Sequence, residues 1–154
     1  MAGTINEKLR MLGITLPDVS SPIANYVPAV RTGNLLFISG QVAMDGTSIK
    51  IGRLGEDLEI EEAQAFARLC GLSILAQARE ALEGDLDRVV QIVKLVGFVN
   101  STPGFVSQPW VINGASDLMV EVFGERGRHA RSTLGCSSLP GSAPVEVEAI
   151  IEVE

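Results

Sequence analysis

One histidine, His129, stands in the whole chain, so the sequence holds neither a pair of imidazoles for acid–base work nor a second histidine for a metal site. Cysteine is nearly as scarce. Cys70 and Cys136 fit no CxxC or zinc spacing, and both read as small core fillers rather than nucleophiles. Aromatic residues supply only 5% of the chain against 46% hydrophobic residues, which predicts an aliphatic core. Basic residues are outnumbered, 12 against 19 acidic, and the net charge of −7 argues against a polyanionic partner such as nucleic acid, whose binding rests on Lys and Arg neutralising phosphates. No apolar run approaches the ~20 residues of a membrane span, and no basic stretch leads into an apolar one at the start, so neither membrane nor signal peptide is expected and the expected location is cytoplasmic. Glycine-rich phosphate loops, zinc spacings and a GxSxG elbow are all missing, which leaves no visible seat for a cofactor or a metal.

What is there reads as one domain over residues 1–154. Thr4 to Leu12 has the pattern of a short amphipathic helix, with Thr4 as cap, Glu7 at the capping-box position and Gly13 as stop. Val27–Thr32 and Leu35–Gly40 flank Gly33-Asn34, a hairpin turn. Ser39 at the end of that hairpin is either a turn cap or a ligand contact, and Gly40 lets another group approach the backbone closely. Ser48 to Arg53 reads as a short strand. Glu59 to Glu83 carries apolar residues at three- and four-residue steps, a core helix closed by Gly84. Val89–Asn100 is β-branched and nearly continuous, a strand covered along most of its length. Thr102–Pro109, with two prolines, reads as a loop, Trp110 as packing at a helix entry or a subunit contact rather than a substrate stack, and Ala115–Gly124 as the second main helix capped by Ser116-Asp117. The order predicts an α+β fold, with helices gathered on one face of a mixed sheet.

The stretch from Arg128 to Glu154 divides at Pro140-Gly141-Ser142-Ala143-Pro144, which is turn chemistry, into two strands expected to lie near each other. In the second, Val145-Glu146-Val147-Glu148 alternates as a strand with one buried face, so both carboxylates point away from the valines. Arg131 on the first is the natural counter-charge. An ion pair on a solvated face accounts for Arg131 and Glu146. So does a guanidinium that binds a ligand carboxylate beside an acid, a task that the planar fork of arginine suits.

Ala130-Arg131-Ser132, then Leu139-Pro140, then Val145-Glu146-Val147-Glu148-Ala149-Ile150 resemble, without a gap, the C-terminal signature of the Rid family, also called YjgF, the reactive intermediate deaminases whose members were often labelled endoribonuclease or translation inhibitor. Ala24-Asn25-Tyr26-Val27 and Leu36-Phe37-Ile38-Ser39-Gly40-Gln41 resemble its N-terminal signature, so the likeness runs from Pro22 to the end.

The resemblance implies a chorismate-mutase-like fold, assembled as a homotrimer with sites in the clefts between subunits. It implies hydrolysis of 2-imino and enamine acids of the 2-aminoacrylate type to 2-keto acids and ammonia. Arg131 would bind the substrate carboxylate and Glu146 would position or deprotonate water. Tyr26, Ser39, Gly40, Asn113 and Thr133 would complete the pocket. Three departures stand out, the first being that the Trp110-containing segment and the N-terminal helix are longer than in compact members. Thr133 occupies a place where many members have cysteine, and the family's asparagine at the start of the second helix is matched most nearly by Asn113, with a spacing to Phe123 roughly three residues longer. A carboxylate-binding protein without turnover is the alternative the sequence leaves open, and a ribonuclease is disfavoured by the acidic balance.

Overall fold

The structure is a computed structural model that describes residues 4–19, 21–22 and 24–154; the single-domain expectation also covered Met1–Gly3, Ser20 and Ile23, which lie outside the described residues. Three helices and seven strands follow in the order α1 (Thr4–Met11), β1 (Ala29–Thr32), β2 (Leu35–Val42), β3 (Met44–Asp45), β4 (Ser48–Ile49), α2 (Ile60–Ala81), β5 (Val89–Asn100), α3 (Gln108–Phe123), β6 (Ala130–Cys136) and β7 (Val145–Val153). Five strands form one mixed sheet in the order β1-β2-β7-β5-β6, and β3 with β4 forms a separate small ribbon. This is the α+β architecture expected from the sequence.

The sheet is assembled by periodicity. Along β7 the odd residues Val145, Val147, Ala149, Ile151 and Val153 are buried under the helices, while Glu146, Glu148, Ile150 and Glu152 alternate onto the other face. The long helix α2 and the second helix α3 cover the buried face, with Ile74, Leu75, Ile112, Leu118 and Met119 fully enclosed between helices and strands. Close contact of the two helices requires a glycine, because a Cβ at Gly114 would overlap the carbonyl of Gln64 on α2. That contact fixes the start of α3, where the site lies.

Among the described residues, no helix covers the opposite face of the sheet. Val30, Phe37 and Leu134 are exposed on it at 52%, 41% and 45%, and Ile150 lies in the row of Phe37. Glu146, Glu148 and Glu152 share that face, so exposed apolar side chains and carboxylates stand side by side on it.

Three sequence expectations change. The strands β6 and β7 are not neighbours: β5 lies between them, antiparallel to β7 and parallel to β6. The break at 140–144 is turn chemistry as expected, but it carries the chain over the end of β5 instead of returning it alongside β6. Next, α3 begins at Gln108 rather than Ala115, because Pro109 sits in the first helical turn, where its missing N–H is no loss. Trp110 is therefore an outward residue of that first turn, 62% exposed, and Ser116-Asp117 are in mid-helix. Finally, Cys70 is buried as expected, but Cys136 is only half-buried.

The cap of α1 comes from far along the chain. Asp87 accepts the backbone N–H of Thr4 and of Ile5, at 2.8 and 2.9 Å, and the Thr4 hydroxyl at 2.7 Å. A carboxylate at a helix start satisfies orphan donors and faces the positive end of the helix dipole. Asp87→Ala is expected to lower stability by about 1 kcal/mol, the usual cost of a lost cap. A thermal melt checks this, with enhanced amide exchange confined to α1 as its local sign.

Candidate functional site at the edge of the sheet and the start of the second helix

Arg131 lies on β6 at the sheet's edge, in register with Leu95 on β5 and, through it, with Ala149 on β7. Leu95 and Ala149 are buried beneath the helices, so Arg131 points to the helix-covered side. There it meets α3. Its Nη1 donates to Asn113 Oδ1 at 2.8 Å and to Ser116 Oγ at 3.1 Å. Both hydrogens of that nitrogen are thus engaged, while Nη2 and Nε make no bond among the described residues. The remaining edge of the guanidinium is the one that grips a carboxylate with two parallel N–H donors. No acidic side chain pairs with Arg131 among the described residues, although the chain has 19. The solvated ion pair with Glu146 that the sequence permitted is not formed.

His129, for which the sequence shows no partner, belongs to the same cluster. Its Nδ1 lies 2.6 Å from the Gly127 carbonyl and its Nε2 lies 2.9 Å from Ser116 Oγ. Ser116 was read only as a helix cap. The offset of roughly three residues in the spacing of Asn113 was the available signal, because three residues on from Asn113 is one helical turn on, at Ser116. Arg131 meets both residues. Thr133 lies on the same face of β6, two residues along, in register with Gly97. It makes no side-chain hydrogen bond among the described residues.

A second group forms on the other side of the sheet. Glu146 faces away from the helices on β7 and is paired with Val42 of β2 and Phe98 of β5. A Cβ at Gly40 would overlap its carboxylate, so only glycine lets the acid lie against β2 at that point. The bulge that breaks the β2–β7 register between Ile38 and Gln41 places Ser39 and Gly40 there. Burial, followed by the like charge of Glu148, pushes the Glu146 carboxyl above its ordinary value. A carboxyl raised in this way is better placed to hold and pass a proton near neutral pH. Ser39 spends its hydroxyl on the Val27 carbonyl at 2.7 Å, which makes it a structural tie for the segment that carries Tyr26. Tyr26 and Gly40 line a cavity of about 310 Å³ between β2 and α2, with Gln41, Ser73 and Gln77. Cys70 under Glu146 is no nucleophile, since burial and then Glu146 push its thiol above the ordinary value.

The expected residues come together as two separate groups. Arg131, Asn113 and Thr133 are on the helix side at the β6 edge; Glu146 is on the open face of β7 with Gly40 beside it on β2, and Tyr26 meets Gly40 at the cavity between β2 and α2. Within one protomer Arg131 and Glu146 face opposite sides of the sheet, with β5 between their strands.

A family model described as "YjgF/chorismate_mutase-like, putative endoribonuclease" matches residues 6–150. The chain belongs to this YjgF family. Its relatives include Protein TCP17 of Trypanosoma cruzi, 47% identical over 99% of this chain and 96% of that protein. A crystal structure of Atu1372 from Agrobacterium tumefaciens, a protein described as of unknown function, superimposes with a TM-score of 0.91 at 48% identity, over 97% of this chain and 92% of that one. A Dermatophagoides farinae protein named 2-iminobutanoate/2-iminopropanoate deaminase is 28% identical over 92% of this chain and 95% of its own length. YjgF membership agrees with the mixed sheet and the helices gathered on one face of it.

Proposed function

We propose that this YjgF-family chain hydrolyses reactive 2-imino and enamine acids of the 2-aminoacrylate type to 2-keto acids and ammonia, in clefts that two protomers of a homotrimer build together. The observation that carries the reading is Arg131: a guanidinium in an acidic protein, oriented through Nη1 by two neutral acceptors, with its carboxylate-binding edge unspent. The named activity of the Dermatophagoides farinae relative supports the reaction class. Exposed Val30, Phe37 and Leu134 on the open face support association, and a closed cyclic assembly would repeat a contact between one protomer's β6 edge and the next protomer's Glu146 face.

In the proposed step Arg131 pins the carboxylate and so orients the imine carbon, turning a random encounter with water into a positioned one. Glu146 takes a proton from that water as its oxygen bonds to the imine carbon, and passes that proton to the imine nitrogen to give a neutral carbinolamine. The carboxylate then carries the carbinolamine hydroxyl proton to the amine as the C–N bond breaks, which releases ammonia and leaves the 2-keto acid. No oxidant or cofactor enters the balance. The reading places the reaction in the cytoplasm; among the described residues no helix is long and apolar enough to cross a membrane. Ribonuclease chemistry is disfavoured by the net charge of −7 and the single histidine.

The test is an imine made in situ by an amino-acid oxidase, with 2-keto acid release followed in the presence and absence of the protein. Catalysis raises the rate of release in proportion to protein concentration. Tight 2-keto acid binding with no rate increase would instead make the chain a carboxylate-binding sensor.

A further inference from the structure

We infer that His129 is a positioning residue for Arg131, acting through Ser116 as a directed hydrogen-bond relay. The inference rests on the reading of Arg131 as the carboxylate anchor. The direction of every bond is fixed by chemistry. A carbonyl only accepts, so the bond to Gly127 makes Nδ1 the protonated nitrogen of His129. In the neutral ring Nε2 is then an acceptor, and the Ser116 hydroxyl must donate to it. With its proton turned to His129, Ser116 presents lone pairs to Arg131 Nη1. A serine hydroxyl alone rotates freely and could donate elsewhere; His129 removes that freedom. Asn113 takes the other Nη1 hydrogen, and the guanidinium plane is held from two points on α3.

The neutral state of the ring agrees with its surroundings. Burial, and then the charge of Arg131, hold His129 below its ordinary value, against the Gly127 carbonyl, which raises it. Arg131 is the charged group from β6. The group that α3 offers is the uncharged Ser116, and on the preceding turn Arg128 is paired with Glu125 at 3.0 Å. Sequence reading could not find this relay, because a histidine and a serine thirteen residues apart form no recognisable spacing.

The experiment has two arms, and His129 is the sole histidine, so its ring signals in a nitrogen-correlated NMR spectrum are unambiguous. In the first arm the wild-type ring is titrated beside that of Arg131→Ala. The expected result is the Nδ1–H tautomer at neutral pH, with a ring pKa that rises when the guanidinium is removed. The opposite tautomer, or a titration indifferent to Arg131, overturns the relay, whatever the protein's function. In the second arm 2-oxobutanoate binding is measured for His129→Phe, which keeps a flat ring without the acceptor, and for His129→Gln, whose amide oxygen can accept near the place of Nε2. Loss of the acceptor is expected to weaken binding about tenfold, the scale seen when an orienting partner of a binding group is lost. Gln is expected to recover most of it. Equal binding by Phe and wild type overturns the proposal, as does a Gln variant no better than Phe. If wild type itself binds no 2-keto acid, the deaminase reading fails while the titration arm still decides the relay.

Discussion

Arg131→Ala is expected to abolish 2-keto acid binding and imine hydrolysis together, while the melting temperature hardly moves. Two charge-assisted bonds from Nη2 and Nε to a carboxylate contribute about 1.5–3 kcal/mol each, so their loss weakens binding by roughly two to four orders of magnitude. The same substitution costs the fold little. Arg131 sits at a sheet edge, and it gives up only the bonds to Asn113 and Ser116, both on a half-exposed surface, for an expected loss of about 1 kcal/mol. Arg131→Lys is expected to rescue little, because an ammonium is a point charge that cannot hold Asn113 and Ser116 on one side and a carboxylate on the other. Binding by titration calorimetry, turnover and thermal melts on the same preparations check all three statements. An alanine variant that keeps activity contradicts the assignment of Arg131.

Glu146→Gln separates binding from chemistry. The amide keeps the size of the acid but cannot take a proton, so turnover is expected to fall by about 10²–10⁴-fold, the usual range for a general base, with 2-keto acid affinity little changed. Stability should move the other way. Burial and Glu148 raise the carboxyl pKa of Glu146 in the folded state above its unfolded value of 4.5, so the native protein binds the proton more readily than the unfolded chain does. At neutral pH the ionised acid opposes folding. Wild type therefore gains stability as pH falls through the raised pKa towards the unfolded value, and the Gln variant, uncharged throughout, lacks that gain and melts higher at neutral pH. Melts of both proteins from neutral pH down to about 4.5 check the sign. A Gln variant less stable than wild type at neutral pH would show that Glu146 makes a favourable contact the account omits.

Local pattern made much of the fold legible. The β-branched run at Val89–Asn100 is β5 to the residue, and the alternation at Val145–Glu148 assigned Glu146 and Glu148 to the face away from the valines, where they are found. The hairpin at Gly33-Asn34 and the long helix α2 were equally readable, since turn chemistry and helical period are written in adjacent residues. Strand order was not. Nothing local says that β5 intrudes between β6 and β7, because pairing across the sheet is decided by burial of distant segments, and the error mattered: it put Arg131 and Glu146 side by side in one chain. Helix α3 was read short because Pro103 and Pro109 punctuate the segment, yet proline in a first turn costs a helix nothing. The pairing of Ser116 with His129 is illegible for a different reason. A relay of short polar groups has no periodicity, and only the fold brings its members together.

Subunit complementation tests the central claim, that each site takes Arg131 from one protomer and Glu146 from its neighbour. Arg131→Ala and Glu146→Gln proteins, each inactive alone, are mixed in equal amounts and allowed to exchange subunits, with sedimentation confirming trimers. A site is whole when the neighbour donating Arg131 is the Glu146→Gln chain and the one donating Glu146 is the Arg131→Ala chain, so random exchange restores about a quarter of wild-type activity in a cyclic assembly. Mixed trimers that stay as inactive as either parent would contradict a shared site.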